Sequence, residues 1–303
     1  MIDTSVRLAG LKPENPFMTA SGVLGSSSSL MIRALKAGAG AIVTKTFTPN
    51  PREGYEPPVV YSERCYTLNA IGLSNPGMEK IAETIKPILK MGAPVIVSVA
   101  GGSVEEFVEI SVKAMNAGAH GIELNLSCPH VKGLGADLGS DPDMVYKVVR
   151  AVKDVVDIPV FAKLSPNVND ITGPGRAAVK GGADALVAIN TVRGMVIDVE
   201  LKAPVLTNIY GGVSGRAIHP IAVYMVFRLY TTFDVPIVGV GGVETWRDAV
   251  ELMLAGATAV QVGTAIKNRG FKIFRSLIRG LKSYMKRHGY RSVEEIVGAA
   301  IRR

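Results

Sequence analysis

Short apolar runs recur along the chain, and each is followed by a stretch with apolar residues at helical spacing. The runs are Pro16-Phe17-Met18-Thr19, Ala41-Ile42-Val43-Thr44, Val95 to Val99, Gly121 to Leu126, Pro159 to Lys163, Ala185 to Ile189, Pro236 to Val240 and Ala259 to Val262. They are almost continuously apolar rather than alternating, the pattern of strands in a parallel sheet covered on both faces. Eight strand–helix units in 303 residues are the number and size of a (β/α)8 TIM barrel, a single domain over residues 1–303. Four of the junctions share one punctuation: Ala37-Gly38-Ala39, Ala117-Gly118-Ala119, Gly181-Gly182-Ala183 and Ala255-Gly256-Ala257. Each offers a glycine for a left-handed helix C-cap before the next strand. An open doubly wound sheet is the runner-up, but no Gly-x-Gly-x-x-Gly turn follows the first strand. Outside the repeat lie a short N-terminal segment, Val6 to Asn15, read as a hairpin, and a long loop from Thr46 to Asn75, too long for a simple connector and so expected to be functional.

Composition narrows the class. Hydrophobic residues make up 48% of the chain and there are 33 glycines, which suits a compact α/β enzyme. The first residues lack a basic stretch followed by an apolar core, and no run of about 18 apolar residues occurs, so a soluble, cytoplasmic protein with no membrane contact is expected. Only Cys65 and Cys128 are present, too few for a disulfide framework or for a thiolate-ligated iron–sulfur cluster, which takes about four. Any such cluster must lie on another chain, and no metal site is expected in this one. The net charge of +8 is densest from Lys267 to Arg287, where Phe271, Phe274, Ile278 and Leu281 fall at helical spacing among the cations. This reads as one helix with a solvated face, and no nucleic-acid module accompanies it.

In a TIM barrel the chemistry sits where the strands end. The strand Gly121 to Leu124 runs into Asn125-Leu126-Ser127-Cys128-Pro129-His130, and Pro129 takes the backbone out of the sheet, so Cys128 reads as an active-site base. A buried free cysteine is the plainer reading of that residue alone. Other strand ends supply Ser21, Lys45 with Thr46, Lys163, Asn190 with Thr191, Gly241 with Gly242, and Gly263 with Thr264. Two lysines at buried strand ends imply an anionic ligand or cofactor, the alternative for each being a salt bridge to a neighbouring carboxylate. Glycines after the last two strands stand where barrels bind phosphate through backbone amides, which suggests a phosphorylated cofactor such as FMN.

At three separate places the chain resembles the dihydroorotate dehydrogenases. Asn69-Ala70-Ile71-Gly72-Leu73-Ser74-Asn75-Pro76-Gly77 is similar to that family's substrate loop, Asn125-Leu126-Ser127-Cys128-Pro129 to its catalytic-base segment, and Gly211-Gly212-Val213-Ser214-Gly215 to its Gly-Gly-Leu-Ser-Gly motif. The similarity runs nearly end to end, and the cysteine base places the chain nearest the soluble class 1B branch. The resemblance implies that FMN is held by Ser21, Lys45, Thr46, Asn125, Lys163, Ile189, Gly215, Gly241, Gly242, Gly263 and Thr264. It implies that dihydroorotate meets Lys45, Asn69, Ala70, Ile71, Gly72, Leu73, Asn125, Asn190 and Thr191. It also implies a separate electron-transfer subunit carrying FAD and an iron–sulfur cluster, in a homodimer or heterotetramer. Asparagine amides suit the donors and acceptors of a pyrimidine ring, and lysines suit charge on a reduced flavin.

Two positions depart from the family pattern. Ser98 stands where an asparagine near the flavin is usual, and His130 follows Pro129 where an asparagine is usual; Ser-Cys-Pro-His also resembles the flavin domain of dihydropyrimidine dehydrogenases. The expected reaction is FMN-dependent oxidation of dihydroorotate to orotate in pyrimidine biosynthesis, with Cys128 as the base. The rivals are a dihydropyrimidine dehydrogenase and a non-redox phosphate-binding barrel. Lys132 to Gly139, with three glycines, reads equally as a lid or as a surface loop. Cys65, His120 and His219 are read as structural.

Overall fold

The computed structural model describes residues 2–126 and 138–301. Eight parallel strands form one sheet: β1 (Phe17–Thr19), β2 (Ile42–Val43), β3 (Val95–Val99), β4 (Gly121–Asn125), β5 (Val160–Lys163), β6 (Ala185–Ala188), β7 (Ile237–Val240) and β8 (Ala257–Val262). Consecutive strands are neighbours from β2 to β8, and β8 pairs with β1, with Phe17 opposite Val260. A single bridge, Met18 with Ala41, brings β1 round to β2. That seam is stitched by a side chain: the Thr19 hydroxyl accepts from Val43 N–H at 2.9 Å and donates to Val43 O at 3.0 Å. The expected (β/α)8 barrel is therefore present.

Nine helices are described: α1 (Ser28–Lys36), α2 (Ile81–Leu89), α3 (Val104–Asn116), α4 (Pro142–Lys153), α5 (Thr172–Gly181), α6 (His219–Tyr230), α7 (Trp246–Leu254), the short α8 (Thr264–Arg269) and α9 (Lys272–His288). The longer helices each bury an apolar stripe in the core. In α9 the stripe is Ile273, Phe274, Leu277, Leu281 and Met285, while Lys272, Arg275, Arg279, Lys282 and Lys286 are exposed, as the spacing of the basic stretch requires. The four punctuating glycines, Gly38, Gly118, Gly182 and Gly256, all adopt positive φ between +92° and +118° as the chain turns from helix to strand.

The inside of the barrel is a separate apolar cluster that includes Met18, Ala41, Ile96, Phe161, Val187, Val238 and Ala259. The N-terminal segment forms the expected hairpin, with Leu8 and Leu11 exchanging backbone hydrogen bonds at 2.9 Å around Ala9 and Gly10, both at positive φ. Leu8 is fully buried in the interior cluster, so the hairpin caps the barrel at the end where the strands begin.

The segment from Thr46 to Asn75 corrects the sequence reading. Its middle is not a loop but a hairpin, Val60–Ser62 with Thr67–Asn69, which joins Gly211–Ser214 and Val192–Gly194 in a four-stranded antiparallel sheet. Strands of only three or four residues are too short to show a period of their own, and glycines interrupt Val192–Gly194 and Gly211–Ser214, so pattern alone did not reveal them. A two-stranded ribbon, Ile197–Asp198 with Ala203–Pro204, extends the same insert. Both inserts spring from strand ends, after β2 and after β6, and lie over the carboxyl end of the barrel.

Gly280 in α9 faces Trp246 of α7, where an added Cβ would fall 2.1 Å from the indole Cγ. An interior helical Gly→Ala change ordinarily stabilises by about 1 kcal/mol. Here Gly280→Ala is expected to destabilise by about 1–3 kcal/mol through overpacking. Urea unfolding measures it, with Gly173→Ala, which meets nothing within 4 Å, as the comparison.

Candidate active site

One cavity of about 500 Å³ opens between the carboxyl ends of the strands and the four-stranded insert. The structure gathers around it every described residue expected to hold a cofactor or substrate. Ser21, Lys45, Thr46, Asn125, Lys163, Ile189, Gly241, Gly242, Gly263 and Thr264 come from strand ends, Gly215 follows the strand Gly211–Ser214, and Asn190 and Thr191 follow β6. Asn69, Ala70, Ile71, Gly72 and Leu73 enter from the insert. Cys128, His130 and most of the segment Lys132 to Gly139 lie outside the described residues. On either side of that interval the chain is fixed: Leu126 is fully buried, and a Cβ on Gly139 would meet the Leu126 carbonyl at 2.4 Å.

A directed chain of hydrogen bonds crosses the cavity floor. Thr191 N–H donates to Asn190 Oδ1 at 2.9 Å, Asn190 Nδ2 to Asn125 Oδ1 at 3.0 Å, and Asn125 Nδ2 to Thr46 Oγ1 at 3.2 Å. A backbone N–H can only donate, so it sets the orientation of the first amide, and each amide sets the next. Thr46 Oγ1 also lies 3.0 Å from both Ser21 Oγ and Ser98 Oγ. Ser98 is fully buried behind Thr46 and does not line the cavity, so at this position it is Thr46 that faces the cavity.

The two lysines part company. Lys163 Nζ lies 3.3 Å from Glu123 Oε1 and 3.2 Å from Gln261 Oε1, and Gln261 Nε2 donates to Glu123 Oε2 at 2.5 Å. All three residues are buried, so Lys163 has the carboxylate partner that the sequence reading held less probable. Lys45 has no ion pair among the described residues, and burial lowers its pKa from the ordinary lysine value. An anionic ligand would restore the balance there. Polar Glu123 and Gln261 inside otherwise apolar strands were the available sign of this triad.

At the other end of the cavity, Gly241 and Gly242 adopt φ of 141° and 66°. A Cβ on either would fall 2.7 Å from a side chain of α6, on Ala222 and His219 respectively. Gly263 precedes α8, whose first residue Thr264 donates to Ser214 Oγ at 2.9 Å. Close-lying bare backbone beside a helix start suits a phosphate, so the residues present fit the phosphorylated cofactor expected. The sequence reading missed Arg52, Asn167 and Arg193, which also line the cavity. Of the residues read as structural, His120 Nδ1 accepts from Val95 N–H at 3.1 Å and Cys65 is exposed. Among the described residues no group of three potential metal ligands is found.

The dihydroorotate dehydrogenase family model matches residues 3–285. The chain belongs to the dihydroorotate dehydrogenase family. It is 48% identical over 297 residues to the dihydroorotate dehydrogenase B (NAD+) catalytic subunit of Pyrococcus abyssi, covering 98% of this chain and 99% of the relative. The protein of the same name from Thermoplasma acidophilum is 46% identical over 302 residues, with all of both chains covered, and that from Methanosarcina acetivorans is 47% identical over 293 residues, 96% of this chain and 94% of the relative. Among the described residues of this dihydroorotate dehydrogenase family member, no helix is long and apolar enough to cross a membrane.

Removing one member of a buried ion pair strands the other. Glu123→Leu is expected to cost about 3–5 kcal/mol, and adding Lys163→Met to recover a large part of it. Comparing the thermal unfolding of the single and double variants measures the recovery.

Proposed function

We propose that the protein oxidises dihydroorotate to orotate in pyrimidine biosynthesis, as the FMN-bearing catalytic subunit of an NAD-linked enzyme. The observation that carries this reading is the cavity itself, which has a glycine cradle at one end and a floor of oriented amides flanked by cations at the other. Gly215, Gly241, Gly242, Gly263 and Thr264 would hold the phosphate of FMN, and Ser21, Lys45, Thr46, Asn125, Lys163 and Ile189 its ring system. FMN supplies a two-electron acceptor for the hydride that leaves C6 of the substrate.

The chain's own residues do the rest. Cys128, as thiolate, takes the proton from C5. Asn69, Asn125 and Asn190 polarise the C4 carbonyl and so make that proton acidic. Asn69 is held for this by its own bond, Nδ2 donating to Gly212 O at 3.1 Å. Lys45, Arg52 and Arg193 line the same cavity and suit the substrate's carboxylate, which favours dihydroorotate over an uncharged dihydropyrimidine.

The relatives' names call them catalytic subunits, and two cysteines are too few for a cluster in this chain. Electrons would therefore leave through a partner subunit carrying FAD and an iron–sulfur cluster. A homodimer or a heterotetramer with that partner, in the cytoplasm, completes the proposal.

Adding dihydroorotate to the FMN-loaded protein without oxygen should bleach the flavin absorbance promptly. Bleaching by dihydrouracil alone would move the protein to the dihydropyrimidine enzymes, and failure to take up FMN would leave a phosphate-binding barrel. Cys128→Ala should slow the bleaching about 100-fold or more with FMN still bound; full activity in that variant would overturn the assignment of the base.

The pH profile has two limbs. A thiol with an ordinary pKa of about 8.5 gains thiolate as pH rises, so kcat should climb through the neutral range. Burial has lowered the pKa of Lys45, so its positive charge is lost at a lower pH than an ordinary lysine's. KM for dihydroorotate should therefore rise on the alkaline side. In Lys45→Met, KM should be high at every pH and lack that rise, which steady-state kinetics across the range would show.

A further inference from the structure

We infer that His219 positions the Gly241–Gly242 loop for the phosphate of the cofactor; the inference rests on the FMN reading above. His219 is 5% exposed and opens α6. Its Nδ1 bonds the Gly241 carbonyl at 2.8 Å, one residue past the end of β7 and outside that strand's ladder. A carbonyl can only accept, so Nδ1 carries the hydrogen.

Sterics bind the same two elements together. A Cβ on Gly242 would fall 2.7 Å from His219 Cβ, and one on Gly241 would fall 2.7 Å from Ala222 Cβ. His219 and Ala222 are three residues apart on one face of α6, so the loop lies directly on the first turn of the helix. The imidazole fastens it there from the side.

The other ring nitrogen, Nε2, has no hydrogen-bond partner among the described residues, although Glu251 Oε2 lies 3.3 Å away. A buried ring nitrogen left in this state is a cost to the fold. The hydrogen bond that the ring does make is to a loop lining the cavity. His219 touches neither substrate nor the reacting atoms; it is a positioning residue that acts through the backbone of Gly241.

Riboflavin lacks the phosphate and so separates this role from general stability. Apo-protein of the full chain is titrated with FMN and with riboflavin, following the quenching of flavin fluorescence. In His219→Ala, FMN affinity should fall about tenfold or more, the loss expected when a buried carbonyl is stripped of its donor, while riboflavin affinity stays within about twofold. His219→Asn, whose Nδ2 stands near the place of Nδ1, should restore most of the FMN affinity.

An unchanged FMN-to-riboflavin ratio in His219→Ala, whether both affinities hold or both fall, would overturn the inference. If His219→Ala does not fold, the pair His219→Asn and His219→Gln decides, since the longer glutamine carries its amide past the carbonyl; equal ratios in the two would overturn it. A native protein that binds FMN no better than riboflavin would instead remove the phosphate reading of the loop on which the inference stands.

Discussion

An ammonium group cannot sit inside a β-barrel unless something there answers its charge, and the upper half of this barrel is arranged around that requirement. Glu123 on β4, Lys163 on β5 and Gln261 on β8 close a triangle of hydrogen bonds across the interior. Below it the interior is apolar, filled by Met18, Ile96, Phe161 and Val238 and capped by the N-terminal hairpin. Above it begins the polar cavity. The triad is thus a boundary layer: a neutral, internally satisfied set of polar groups that lets a packed core end and a ligand site begin within one turn of side chains. Without Glu123, Lys163 would need a ligand to be tolerable at all; with it, the site holds its shape by itself.

The amide chain from Thr191 to Thr46 extends the same logic sideways. An asparagine side chain can be flipped at little cost when nothing distinguishes its two ends, yet here a main-chain N–H at one end makes every orientation along the floor a consequence of the fold. The donors and acceptors along the cavity floor are thus fixed by the fold alone, a preorganised polar surface.

Most of the barrel was legible in the sequence because its cause is local. Apolar runs at regular intervals and a glycine at each of four helix ends report directly on strands and C-caps, and the structure has them where the pattern put them. The strand-end residues could be collected into one site for a topological reason: in a parallel barrel, every strand finishes on the same side. The rest depended on contacts between distant parts of the chain. Thr67–Asn69 is a strand only because Gly211–Ser214 runs beside it, some 140 positions later in the chain. Glu123 and Gln261 stood out as polar residues in apolar runs, but that they meet each other and Lys163 depends on strands far apart in the chain. Ser98 kept its place in the sequence pattern but not at the cavity wall, because Thr46 stands in front of it.

Leu126, just past the end of β4, and Gly139, shortly before α4, are in contact, so the described backbone on the two sides is pinned at one spot. Both anchors are thereby set by the barrel itself, one as the end of β4 and the other as the approach to α4. Cys128 follows Leu126 by two residues in the sequence, so the residue proposed as the base is tied at short range to the strand that also carries Asn125.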